Sequence, residues 1–180
     1  MPVKQRIKTY ILLIVAYFLL AMPFKVMEVI PGFADIRPVT MLGPIYGLFF
    51  GLPGCIIFAF MNLVMDAVSG ELMWSSIAGL IANFAGPLLI TVYWNKVSKK
   101  PLTFRNLENV LAYSVTVILA AVLESVIITW SVALIYPDVN WKVFALSVVL
   151  NTAVFPIVFG VPLVILMQEE LGFKRSKGLI

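Results

Sequence analysis

Apolar residues fill six long stretches of this chain, and polar residues, Pro and Gly collect in the short intervals between them. The intervals fall near 25–36, 51–52, 69–72, 95–109 and 137–140, which predicts helices over about 9–24, 37–50, 53–68, 73–94, 110–136 and 141–167. About 20 consecutive apolar residues suffice to cross the hydrocarbon core of a bilayer, whereas barrel strands would alternate over about ten. The pattern predicts an all-α polytopic membrane protein, one domain of six transmembrane helices over residues 1–180.

The segment 36–66 organises the rest. Its two apolar runs meet at Gly51-Leu52-Pro53-Gly54, with glycines at 43, 47 and 51 along the first run. Small residues four apart let helices approach closely in lipid, where tight packing replaces the hydrophobic drive. A packed helical hairpin is expected here. Ala78, Ala82 and Gly86 repeat the same spacing on the fourth helix.

Composition agrees: 62% of residues are hydrophobic, 12% are charged, and the mean hydropathy is +1.04, outside the range of soluble domains. Lys4, Arg6 and Lys8 precede the first run in the manner of a signal peptide. No small-x-small cleavage site follows, so a retained helix is expected. A single Cys55 excludes an internal disulfide, and the absence of histidine removes the commonest metal ligand and general base. An enzyme would need a nucleophile and a base in reach of each other, so neither catalysis nor a cofactor is expected. No phosphate-binding Gly-rich loop with its lysine is present, so the chain does not hydrolyse ATP by itself.

The net charge is +4, but no basic run interleaves with aromatics, and nucleic acid is not an expected partner. The basic residues instead report orientation. With both termini on one side of the membrane, that side receives Lys4, Arg6, Lys8, Lys96, Lys99, Lys100, Arg105, Lys174, Arg175 and Lys177; the other receives Lys25, Arg37 and Lys142. Ten against three places both termini in the cytoplasm.

Glu124 lies near the middle of the fifth helix, where an unpaired charge costs at least about 2.5–3.5 kcal/mol, so it is a functional candidate by default. The alternative is a protonated or hydrogen-bonded Glu that only fixes packing. Asn62 and Asp66, four apart, share a face of the third helix, and Asn83 and Asn151 add amides in the fourth and sixth. Buried amides also serve as glue between helices. Arg37 stands where the outer loop enters the second helix, placed either to clamp an anionic group or to pair with Asp35, Glu28 or Asp66. Trp74, Trp130, Tyr136 and Trp141 fall near the same ends of their helices, as interfacial anchors or as pocket walls. Together these residues suggest a pocket open to the outside, with a few fixed polar groups in apolar and aromatic walls.

Pro31-Gly32, Ile36-Arg37-Pro38, Gly47-Leu48-Phe49-Phe50-Gly51, Asn62, Asp66 and Gly79 with Asn83 resemble the pattern of one subgroup of the substrate-binding membrane subunits, or S components, of energy-coupling factor (ECF) transporters. The resemblance covers nearly the whole chain in topology and is concentrated between Glu28 and Trp94. It implies a multi-pass protein of the prokaryotic plasma membrane that captures a vitamin or related micronutrient outside the cell. It further implies a transmembrane coupling protein and two ATPase subunits as partners. In that family the first external loop, here 25–35, acts as a lid, and the pocket uses it with the outer parts of helices four to six. The resemblance thus points to Glu124, Trp130 and Asn151 as substrate contacts. The closely spaced small residues with which the first helix docks in that family are reduced here to Ala16 and Ala21, five apart. Two other readings stand beside this one: a structural or regulatory membrane subunit without a small-molecule ligand, and a solitary carrier.

Overall fold

A computed structural model of the chain describes residues 3–25, 27–30, 34–98 and 102–176; Pro31-Gly32, Lys99, Lys100 and Lys177 lie outside them. The fold is all-helical apart from one very short ribbon. Helix α1 spans Val3–Ala21 and passes through a 3-10 turn, Met22–Phe24. Strands β1 (Glu28–Ile30) and β2 (Ala34–Asp35) pair antiparallel, with Glu28 opposite Asp35. A second 3-10 turn, Pro38–Met41, leads into α2, Leu42–Val68. Then come α3 (Ser75–Val92, ending in a π-turn Tyr93–Val97), α4 (Leu107–Ile135), α5 (Trp141–Phe155), a π-turn Pro156–Gly160, and α6 (Val161–Glu169).

The long α2 is broken at Gly51, whose φ of 65° and ψ of −146° lie in a region essentially restricted to glycine. In an unbroken helix, residues eight apart are about 12 Å apart along the axis. Here a Cβ added to Gly54 would overlap the carbonyl oxygen of Tyr46. A Cβ on Gly47 would lie 3.2 Å from Cys55 Sγ, and one on Gly43 would lie 3.1 Å from Phe58. Contacts of 43 with 58, 46 with 54 and 47 with 55 define an antiparallel hairpin turning at Gly51. Pro53 sits in the first turn of the second arm, where its missing N–H leaves no helical bond unmade. The first arm also packs on α3, where added Cβ atoms on Gly43 and Gly47 would lie 3.1 Å from the Pro87 ring and 2.8 Å from the Pro87 carbonyl oxygen.

Aromatic packing closes the hinge end of the bundle. Phe173 meets Phe49 and Phe50, the Ser176 amide donates to the Leu48 carbonyl (2.9 Å), and Arg175 donates to the Trp94 carbonyl (2.9 Å). The segment 95–109, expected as a soluble loop, differs in part: Leu102 and Phe104 are buried, and the Phe104 ring lies between Trp94 and Tyr113. Those two residues bury apolar surface that an open loop would leave in water. Helix α1 is tied on by the Tyr46 hydroxyl, which donates to the Leu13 carbonyl (2.5 Å), and by Tyr17, whose ring meets Phe58 edge-on.

Several boundaries differ from the expected ones. Helix α1 begins at Val3, not near 9, because Lys4, Arg6 and Lys8 are good helix formers and extend its first turns. Helix α4 begins a turn early because the Asn106 side chain accepts from the Asn109 amide (2.9 Å) as an N-cap, with Glu108 in the first turn. The Asn140 side chain caps α5 in the same way.

Five helical stretches, 4–24, 38–68, 75–97, 107–135 and 141–169, are long and apolar enough to cross a membrane, and they suggest a membrane-embedded protein. Burial supports this. On α4 the exposed stripe is Leu111, Val115, Leu119, Val122, Val126 and Trp130, whereas Thr116, Glu124, Ser125 and Thr129 are buried. A helix whose solvent-facing side is its most apolar side is matched to lipid.

Candidate functional site

At the end of the bundle away from the Gly51 hinge, the second arm of α2, α3, α4 and α5 enclose a cavity of about 90 Å³, the liquid volume of about three water molecules. Each wall follows from helical spacing. Asn62 and Asp66 come from α2; Ser76, Gly79 and Asn83 from α3; Glu124, Ile128 and Val132 from α4; Phe144, Ser147, Val148, Asn151 and Thr152 from α5. Residues three or four apart lie on one face, so each helix gives the cavity one stripe. Arg37 and Thr40, before and within the 3-10 turn, close the remaining side.

Six of the seven residues singled out from the sequence therefore line one cavity: Arg37, Asn62, Asp66, Asn83, Glu124 and Asn151. Trp130 does not. It is 70% exposed on the outer stripe of α4, with Trp74 and Trp141 exposed on their own helices. These rings suit an interfacial belt better than a pocket wall. Among the described residues, the aromatic ring in the cavity wall is Phe144. Thr40, Glu71, Ser76, Ser147 and Thr152 also line the cavity without having been singled out. Their spacing from the chosen asparagines (Ser76 to Asn83, Ser147 to Asn151) is the signal that would have found them.

A polar network fixes the mouth. The Arg37 amide donates to Asn151 Oδ1 (2.8 Å), and its guanidinium donates to Asn62 Oδ1 (3.3 Å), which also accepts from the Tyr17 hydroxyl (3.4 Å). Among the described residues, Arg37 thus joins the amides of α2 and α5. The Thr40 hydroxyl is 2.8 Å from the Arg37 carbonyl and 2.7 Å from the Asn151 carbonyl, joining the 3-10 turn to α5. Lys25 bridges two carboxylates, lying 2.5 Å from Glu71 and 3.6 Å from Asp66, with the Lys25 and Asp66 side chains both nearly buried. Lys25→Met should destabilise the chain by about 1–3 kcal/mol, between the values for exposed and fully buried pairs, read as a lower midpoint in thermal unfolding.

Glu124 behaves differently. It is buried, it accepts no hydrogen bond from the described residues, and its carboxyl lies against α3 at Gly86, where an added Cβ would overlap Oε1. Below it a second cavity of about 10 Å³, close to the size of one water, shares Thr40, Asn83, Glu124 and Thr152 with the first. Cys55 is fully buried beside Thr91 at the hinge end, a packed small side chain remote from the cavity. No cluster of metal-ligating side chains occurs among the described residues.

No family model, no curated protein and no solved structure matches the chain.

Proposed function

We propose that the chain binds a small molecule from outside the cell, as the substrate-specific S component of an ECF-type importer in the prokaryotic plasma membrane. In this reading the two arms of α2 are separate spans, giving six, and both termini are cytoplasmic. The observation that carries the binding role is the gathering of Arg37, Asn62, Asp66, Asn83, Glu124 and Asn151 around a single cavity at one end of the bundle. Charge supports the orientation: the hinge end holds Lys4, Arg6, Lys8, Lys96, Arg105, Lys174 and Arg175, and the cavity end holds Lys25, Arg37 and Lys142. The Lys25 bridge to Asp66 and Glu71 supports a lid role for the loop that follows it. Vitamins and related micronutrients are the substrate class that the resemblance supports, with a coupling protein and two ATPases as partners.

The test is thermal unfolding of the purified chain against a vitamin panel without ATP, because a ligand that binds only the native state raises the midpoint. A tagged chain from unmodified host membranes should bring ATPases with it; binding without them would mark a solitary carrier. One observation favours a structural subunit without ligand: Asn62 and Asn151 already spend hydrogen bonds on Arg37. A panel in which no compound raises the midpoint would select that reading.

A further inference from the structure

The floor of the cavity has an unequal supply of donors and acceptors. Four residues border both the main cavity and the small one below it: Thr40, Asn83, Glu124 and Thr152. The donors among them turn back onto backbone carbonyls. Thr40 is bonded to Arg37 and Asn151, Thr152 donates to Val148 (2.8 Å), and Asn83 Nδ2 donates to Gly79 (2.8 Å). Beside the second N–H and the oxygen of the Asn83 amide stands the Glu124 carboxyl, 6% exposed and without a donor among the described residues. Among the described residues around the site are the carboxylates of Asp66, Glu71 and Glu124 and the cations of Arg37 and Lys25. Lys25 bridges Asp66 and Glu71, and Arg37 bonds Asn62 at the mouth, whereas Glu124 has no cation beside it among the described residues. A buried carboxyl stays ionised only where a cation or hydrogen-bond donors compensate it, which a cationic ligand would do.

Resting on the small-molecule reading above, we infer that the ligand carries a compact protonated nitrogen group, an alkylammonium, amidinium or guanidinium, whose N–H donors close on Glu124. The rest of the ligand lies against Ile128, Val132, Phe144 and Val148, the apolar part of the wall. Phe144 also offers a ring face suited to a cation. At the floor an anionic group would lie against the Glu124 carboxylate.

The experiment compares thermal unfolding midpoints of the purified chain in detergent, at constant ionic strength, with matched probes: methylguanidine against methylurea, butylamine against butanol and butyrate. Midpoints should rise with the two cations and not with their neutral or anionic counterparts. Glu124→Gln should weaken the cation effect by about 10- to 100-fold, the loss of one charge-assisted hydrogen-bonded contact. Trp130→Ala, outside the cavity, should leave it unchanged. If Glu124→Gln fails to fold, the matched pairs on the unsubstituted chain decide alone. Stabilisation only by neutral or anionic compounds, here or in the vitamin panel, overturns the inference and leaves the binding reading standing. Sodium chloride giving the same rise at equal ionic strength overturns it in favour of an inorganic cation. No rise with any compound removes both.

Discussion

Gly54→Ala should open the α2 hairpin and lower the stability of the chain by about 3 kcal/mol or more, at or above the usual limit for overpacking. The added methyl meets the carbonyl carbon and oxygen of Tyr46, which are backbone atoms and cannot rotate away. The arms must separate instead. That would disturb the Tyr46 hydroxyl bond to Leu13 and the Tyr46–Phe58 ring contact, loosening α1 as well. The readouts are a lower thermal midpoint and loss of the monodisperse peak on size exclusion in detergent. Gly70→Ala is a useful contrast: Gly70 has positive φ but nothing within 4 Å of an added Cβ, so only backbone strain, about 1 kcal/mol, is expected.

Gly86→Ala should have the opposite profile, with binding lost and the fold kept. Its methyl would overlap Oε1 and Cδ of Glu124 and lie 3.0 Å from Cγ, so the whole outer part of a flexible side chain that borders open space must move. The side chain can swing into the cavity at a stability cost of roughly 1–3 kcal/mol, but the carboxyl leaves its position at the floor. Displacing a binding group by about 1 Å is enough to spoil a preorganised site. Affinity for any ligand that contacts Glu124 should fall about 10- to 100-fold, comparable to Glu124→Gln, and the two substitutions together should cost little more than either alone. Additive losses in the double variant would show that Gly86 does not act through Glu124.

The two glycines differ in how visible they were. The hairpin was legible because Gly43, Gly47 and Gly51 recur at helical spacing before a Pro-Gly pair, and only close helix contact explains that recurrence in an apolar run. Glu124 was legible because a carboxylate in the middle of such a run has no cheap place to go. Its partnership with Gly86 was not, since it depends on the register of α3 against α4. Trp130 lies outside the cavity for a reason that spacing contained: six residues from Glu124 is about 240° around the helix, which puts the indole with Val122 and Val126 on the outer stripe, while Ile128 and Val132 follow Glu124 inward. The ribbon Glu28–Ile30 with Ala34–Asp35 is too short to leave an alternating signature, and its turn residues suggested only a loop. Lys25 as a bridge between Asp66 and Glu71 joins positions more than 40 residues apart, a pairing no local pattern reports.

Chemical access to Ser147 tests most directly whether the cavity opens to the outside of the cell. Ser147 lines the cavity from α5, and the one native cysteine, Cys55, is fully buried at the other end, so Ser147→Cys would supply the reactive thiol. The measurement is the rate at which a small, membrane-impermeant cationic methanethiosulfonate modifies that thiol in intact spheroplasts. The account predicts modification from outside in spheroplasts, at a rate unchanged when the membrane is opened with detergent. A thiol that reacts only after the membrane is opened would contradict it.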